Sequence, residues 1–458
     1  MGNITRPTPL DDHTLLPFIT TFAFISVLYG LWLVVFWPGL LGQDGLAIIW
    51  EIERTDGFQS GKPIFWYYFV KFPYLATGRV ESPIAIQLAL SALFFARILA
   101  WTWKVGLKKS YWILLFFITL APHTLITIGA LNADGIYAAA TAALIFESWL
   151  IFKTRCVNLI SFFILFFSLP LAVFARPNGI IMLPIAGVLL FYLSNPDKIK
   201  IVFIVAFWCV LNPIANHAHK TNKHGATFPL ALYETVNFLQ PRPMNLWRAQ
   251  PRVSEKTIKT LEKYTPISEI IKSYDKDYWD PLFYDPKGPF LLRMEESDKA
   301  IIADEFFSYN LWQNIPAFFG SRVNIFLTSV LAEGAAPSLD YSKYIIPQIN
   351  TKSKYRKFRL EESANYLEKI HALSYQYRLI LWTSFYGIII LLISIAKGIQ
   401  WRDIPLLTIT LPLLAQLIGI FFFSIAGEYR YLFHFFTLPL ALIPILLFSR
   451  KQKTSQAT

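Results

Sequence analysis

Four side chains stand out for the chemistry they could share. Asp44 lies in Trp37-Pro38-Gly39-Leu40-Leu41-Gly42-Gln43-Asp44-Gly45, and Asp134 in Gly129-Ala130-Leu131-Asn132-Ala133-Asp134-Gly135. Arg176 opens Arg176-Pro177-Asn178-Gly179, and Arg430 sits in Gly427-Glu428-Tyr429-Arg430-Tyr431. All four stand where a long apolar run ends or begins. One carboxylate at such a boundary can take a proton from a hydroxyl, while a second orients that hydroxyl or holds a divalent cation such as Mg2+ or Mn2+. A guanidinium at headgroup height suits a phosphate, which it grips through two parallel N–H donors. Arg322, in Pro316-Ala317-Phe318-Phe319-Gly320-Ser321-Arg322, is a third candidate cation. Asn132, Asn178, Glu428 and Tyr429 flank these groups and are candidate substrate contacts. Plainer roles stand beside these. Asp134 before Gly-Ile-Tyr-Ala suits the first turn of a helix. The arginines could snorkel toward lipid headgroups.

The elements that would position these groups follow from composition. Of 458 residues, 55% are hydrophobic and 16% charged, well under the quarter usual for soluble proteins. Several apolar runs are about 20 residues long, enough to cross a bilayer as a helix. Strands of a membrane β-barrel would be shorter and would alternate apolar with polar. The expectation is therefore an all-α polytopic membrane protein. About ten spans are expected, at 15–37, 83–103, 111–130, 135–152, 158–175, 178–194, 200–217, 377–396, 404–424 and 430–449. The net charge of +12 does not point to nucleic acid, because much of the excess lies in short loops between spans. The two cysteines, Cys156 in a basic loop and Cys209 in an apolar run, imply no disulfide framework.

The loops alternate in character. Lys104, Lys108, Lys109, Lys153, Arg155, Lys198, Lys200, Lys397, Arg402, Arg450, Lys451 and Lys453 mark one side, which the positive-inside rule assigns to the cytoplasm together with both termini. Asp44, Glu51, Glu53, Asp56, Asn132, Asp134, Arg176, Asn178, Glu428 and Arg430 mark the other. Transporters keep charges near the midplane or break paired helices. Here the spans hold few ionisable groups, Arg97 and Glu147 lying near inner ends.

Three regions result: an N-terminal membrane module over 1–217, an outside domain over 218–376 and a C-terminal module over 377–458. The middle region mixes charges of both signs with Pro and aromatics. Its spacing predicts amphipathic helices over 256–272 and 354–372, and a more apolar helical stretch over 303–332 broken at Pro316 that lies on the membrane surface or docks on the spans. His217, His219 and His224 invite a zinc reading, but positions i and i+2 of a helix do not share a face. A polar exit from the span is the simpler account, and no metal ligand set is assigned.

In the order and sidedness of these short motifs the chain resembles the GT-C class of integral-membrane glycosyltransferases. Within it the chain is most similar to bacterial members that decorate O-antigen, lipopolysaccharide or other surface glycans, including serotype-converting glucosyltransferases. The resemblance implies a sugar donor carried on polyprenyl phosphate, a glycan or lipid-linked acceptor, and an active site on the periplasmic face of the inner membrane. It implies Asp44 as general base, Asp134 as the second acid, an inverted linkage, and Arg176 and Arg430 as phosphate contacts. Many relatives place a second acid directly beside the first, whereas Asp44 is followed by Gly45. Three other readings stand beside it: an O-antigen polymerase or ligase, a lipid or glycan transporter (flippase), and a non-catalytic receptor or assembly protein, which would tolerate loss of Asp44 and Asp134 together.

Overall fold

A computed structural model describes residues 12–219, 227–241, 252–285, 287–333 and 338–457. His224 lies outside the described residues. Among the described residues every regular element is a helix, and the one β feature is an isolated parallel bridge between Leu40 and Ala130. Seven helices are long and apolar enough to cross a membrane: Leu15–Val35, Glu81–Lys104, Ala133–Thr154, Asn195–His219, Arg378–Trp401, Ile404–Phe423 and Tyr429–Arg450. This is the build of a multi-pass helical membrane protein, and all seven overlap expected spans. An eighth expected span is a bent pair, Lys108–Leu120 and Pro122–Ile128, with 61° between its halves. Ala121 and Pro122 make the break, because proline removes a backbone donor and clashes with the preceding turn. The remaining two are shorter, Leu159–Phe174 and Pro177–Leu189. The turn at Arg176-Pro177-Asn178-Gly179 takes up their ends: Pro177–Met182 is a tight 3-10 turn, and Gly179 rests on the Ala172 and Val173 carbonyls.

The chain forms two compact units. The first comprises Met1–Asn222, Ala336–Gln416 and Phe433–Thr458, and the second Lys223–Ala335 with Leu417–Leu432. In the first unit we number the helices α1 (Asp12–Val35), α2 (Gln43–Glu53), α3 (Ile64–Thr77), α4 (Glu81–Lys104), α5 (Lys108–Leu120), α6 (Pro122–Ile128), α7 (Ala133–Thr154) and α8 (Leu159–Phe174). At its centre is α7, with 94% of its apolar window buried against 28% for α1. Its run of Ala138, Ala139, Ala140, Ala142 and Ala143 is fully buried. Small side chains let neighbouring backbones approach closely, which is how membrane helices gain packing without a hydrophobic drive. Asp134 and Lys153 mark the two ends of α7, about 30 Å apart at helical rise. Lys153 pairs with Asp403 at 2.7 Å, which fixes the far end of α7 to the start of the Ile404–Phe423 helix.

Residues 338–376 belong with the first unit, so the compact second unit is smaller than the 218–376 region read from sequence. The reason is a strap of polar contacts to the first loop and to α2 and α3. The Ser342 hydroxyl donates to the Gly39 carbonyl (2.9 Å) and accepts from the Leu41 N–H (2.8 Å). The Lys352 N–H donates to the Gly78 carbonyl (2.8 Å), and the Asn350 N–H to Glu53 (3.0 Å). Arg356 donates to the Val35 carbonyl, to Asp340 (2.9 Å) and to Glu368 (2.8 Å). Tyr355, with Arg356 beside it, holds the Asp340 carboxyl below its ordinary range. The helix expected over 354–372 begins later, at Glu361, because residues ahead of it serve this strap and Arg356 and Arg359 take left-handed backbone angles.

In the second unit, Leu232, Phe238, Leu261, Ile270, Phe283, Ile302 and Phe306 form one apolar core. The stretch expected as one helix over 256–272 is two, Glu255–Glu262 and Ile267–Lys272, parted at Pro266. Over 303–332 the chain is helical with a break at Asn314, and Pro316 sits in the first turn of the Ile315–Val330 helix.

A close approach in the first unit is directly testable. A methyl at Gly387 would run into the Phe435 carbonyl, whereas one at Gly187 would meet nothing within 4 Å. Gly387→Ala should destabilise the purified protein by about 1–3 kcal/mol, while Gly187→Ala should be neutral or mildly stabilising. Thermal unfolding in detergent measures both, and equal shifts would show that the helix does not sit on Phe435.

Candidate functional site

The site is built on two loops that pair in parallel. The Leu40 N–H donates to the Gly129 carbonyl (3.1 Å), and the Leu40 carbonyl accepts from the Leu131 N–H (2.8 Å). Two residues past the bridge the chain reaches a helix N-cap on each side, Gly42 for α2 and Asn132 for α7. Two residues further come Asp44 and Asp134, each in a first turn. The two carboxylates therefore occupy matching helical positions on adjoining loops, where the partial positive charge of each N-terminus favours an anion. Gly45 packs against Leu131, and a Cβ there would stand 3.2 Å from the Leu131 carbonyl. Gly39 holds a φ of +105°, which ordinary side chains disfavour. Beneath the second loop, the buried Gln87 amide on α4 donates to the Ile128 and Ala130 carbonyls.

The matched carboxylates have different surroundings. Asp134 is buried, its side chain 7% exposed, and its partner is the Arg176 guanidinium. Its own N–H donates to the Asn132 side chain (3.1 Å), so Asn132 is a helix cap, and the capping role coincides with the candidate site. Arg176 lies 6.0 Å from the centre of the Tyr137 ring. The Gln416 amide holds this corner together, donating to the Tyr137 hydroxyl (2.9 Å) and to the Asn178 carbonyl (3.0 Å). Asp44 is more open, at 30% exposed, and pairs with Lys62 at 2.6 Å. Glu51, at the far end of α2, accepts from the Ser60 N–H (3.0 Å) and meets His219 Nε2 at 2.7 Å. Glu53 receives the Tyr74 hydroxyl, whose ionisation is pushed upward by burial and then by that carboxylate.

Of the candidates, Asp44, Asp134, Arg176, Asn132 and Asn178 thus belong to the first unit. Arg430, Glu428 and Tyr429 belong to the second, where Arg430 pairs with Glu428 and Tyr429 is buried. Arg322 is a correction. It is fully buried in the second unit, its guanidinium engaged by Glu234 and by the Ser424 carbonyl, and it offers no cation to a surface phosphate. Among the described residues no three His, Cys, Asp or Glu side chains gather as a metal ligand set. His219 is committed to Glu51 and stacks on Tyr67 at 4.2 Å.

Several features escaped the sequence reading: the helices α2 and α3, Lys62 as partner of Asp44, Gln416, and the bridge itself. One signal for the bridge was present. Gly39-Leu40-Leu41-Gly42-Gln43-Asp44-Gly45 and Gly129-Ala130-Leu131-Asn132-Ala133-Asp134-Gly135 share Gly-x-Leu-x-x-Asp-Gly in register. The structure pairs these two heptapeptides at their second residues.

The Asp134–Arg176 pair makes a prediction. Arg176→Ala leaves a buried carboxylate without its cation and should cost about 3 kcal/mol. The double variant Asp134→Ala/Arg176→Ala should cost less than Arg176→Ala alone. Unfolding free energies of both, beside Asp134→Ala, measure this; simple additivity would mean the two groups do not interact.

No family model, curated protein or solved structure matches the chain, so its function has to be read from the geometry and chemistry of these loops.

Proposed function

We propose that this protein is a membrane glycosyltransferase that moves a sugar from a polyprenyl-phosphate donor to a hydroxyl of a cell-surface glycan. The observation that carries the reading is the in-register pairing of two loops, which sets Asp44 and Asp134 at equivalent helix starts with Arg176 on the second. Asp44 is the base, because it is the more open carboxylate and its partner is a lysine on a flexible stem. It takes the proton of the acceptor hydroxyl as that oxygen bonds to the anomeric carbon. The bond from that carbon to the phosphate oxygen breaks on the opposite face, and polyprenyl phosphate leaves with the electron pair. The linkage is inverted. Asp134 positions Arg176, and Arg176 supplies positive charge for the departing phosphate, where a fixed cation acts most strongly.

Because the leaving group is already a phosphate, alignment and charge stabilisation supply most of the acceleration. Each carboxylate has a cation of its own, so the step as written uses no metal. The reading places this end of the first unit at the periplasmic face of a bacterial inner membrane, where lipid-linked sugars and surface glycans meet.

The experiment is transfer from purified polyprenyl-phosphate sugars to a cell-envelope extract by protein reconstituted in liposomes. Asp44→Asn should lower transfer by about 10²–10⁴-fold with an unchanged melting temperature. Unchanged transfer removes Asp44 as the base. Transfer of preassembled glycan chains in place of single sugars would make the protein a polymerase or ligase.

A further inference from the structure

We propose that the Ile315–Val330 helix of the second unit is seated in lipid, with acyl chains of one membrane leaflet covering its outer edge. The helix is apolar on two sides: Phe318 and Ile325 turn into the core of the unit, and a second apolar stripe turns outward. Its large exposed side chains are Ile315, Phe319, Val323 and Leu327, each 40–48% exposed and spaced four residues apart to form one stripe. Its polar side chains face inward: Ser321, Arg322, Thr328 and Ser329 are all buried. Asn324 is spoken for, donating to Asp277 (2.7 Å) and to the Lys276 carbonyl (3.0 Å). A helix on a water-facing domain turns polar side chains outward, whereas here the outer stripe is apolar and the polar side chains are buried. In hydrocarbon the rule inverts, and an ionisable group must turn inward and find a partner. Arg322 does so with Glu234.

What covers the stripe follows from its neighbour. The helix packs along Leu417–Phe423 of the same unit, where Phe422 meets Phe318 at 6.5 Å and Phe319 at 5.8 Å, and Phe421 meets Phe326 at 5.7 Å. Those residues close the Ile404–Phe423 helix, which is apolar and long enough to cross a membrane, and its Ile418 and Phe423 are themselves exposed. The apolar edge is thus continuous with a surface that already demands lipid. Sixteen residues rise about 24 Å, short of the roughly 30 Å hydrocarbon core but longer than half of it, so the helix does not cross and would lie obliquely along one leaflet. At its N-terminal end Phe307, Tyr309 and Trp312 are exposed, the aromatic types that gather at the water–lipid boundary. This seating does not depend on which group the Asp44–Asp134 site transfers.

The test is nitroxide accessibility in the full chain reconstituted at high lipid-to-protein ratio, on a Cys156→Ser/Cys209→Ser background. Single variants Phe319→Cys, Val323→Cys and Leu327→Cys are labelled, with Lys259→Cys as the water-facing control, since Lys259 is 75% exposed. At 319, 323 and 327, collisions with oxygen should exceed those with a water-soluble nickel chelate several-fold, and the order should reverse at 259. Nickel access at 323 equal to that at 259 would overturn the proposal by placing the stripe in water. Exclusion of both probes would overturn it too, by showing protein over the stripe, and dipolar broadening would then identify a second copy. Three separate label sites keep the result readable if one variant fails to fold.

Discussion

Two backbone hydrogen bonds between Leu40 and the Gly129–Leu131 segment hold two loops of the first unit in one arrangement. Each contributes only about 0.5–1.5 kcal/mol by itself. Their weight lies in register, because shifting the pairing by one residue would send every following group to a different side. With the bridge in place, the N-caps of α2 and α7, Asp44 and Asp134, and Gly45 against Leu131 all fall into correspondence. The surroundings guard that register. Ser342 grips the backbone on either side of Leu40, and Gln87 grips it on either side of Gly129.

The treatment of charge follows one rule throughout. Arg97 and Glu147 meet between α4 and α7, with the Ser161 hydroxyl of α8 donating to Glu147 (2.8 Å). Glu234 and Arg322 meet inside the second unit, with the Ser321 hydroxyl donating to Glu234 (2.8 Å). A buried ion pair adds little net stability over an apolar pair, but an unpaired buried charge is strongly destabilising. Such pairs therefore lock neighbouring helices to one mutual rotation. The pairs near the bridge differ in degree of burial: Asp134–Arg176 is nearly closed to water, while Asp44–Lys62 is a quarter to a third open. In the proposed reaction that difference divides the labour between two carboxylates that sequence alone presents as equals.

The sequence displayed the spans that face their neighbours or lipid over a full 20 or so residues, because hydropathy reports exactly that kind of burial. It misjudged the interrupted ones, where Pro122 bends a run and where Arg176-Pro177-Asn178-Gly179 consumes residues counted as helix. Asp134 and Arg176 were each visible as residues of the right type at a helix end. Their partnership was not, since 42 residues separate them. Arg322 misled because a charged residue in an apolar stretch signals either a ligand contact or an internal ion pair, and Glu234, 88 residues away, decides between them. The strap formed by residues 338–360 left no periodic trace because its contacts run through backbone groups, single hydroxyls and the one Arg356 guanidinium.

That strap has a bearing on how the protein is made. The first loop leaves the ribosome about 300 residues ahead of Ser342, the residue that clasps it. At about 5–20 residues per second, the wait is roughly 15–60 s. During that time Gly39 and Leu41 lack their clasp. Maturation of this end of the molecule is therefore set by the late arrival of a short polar segment. A chain truncated before that segment would hold four of the seven long apolar helices and leave the first loop unfinished.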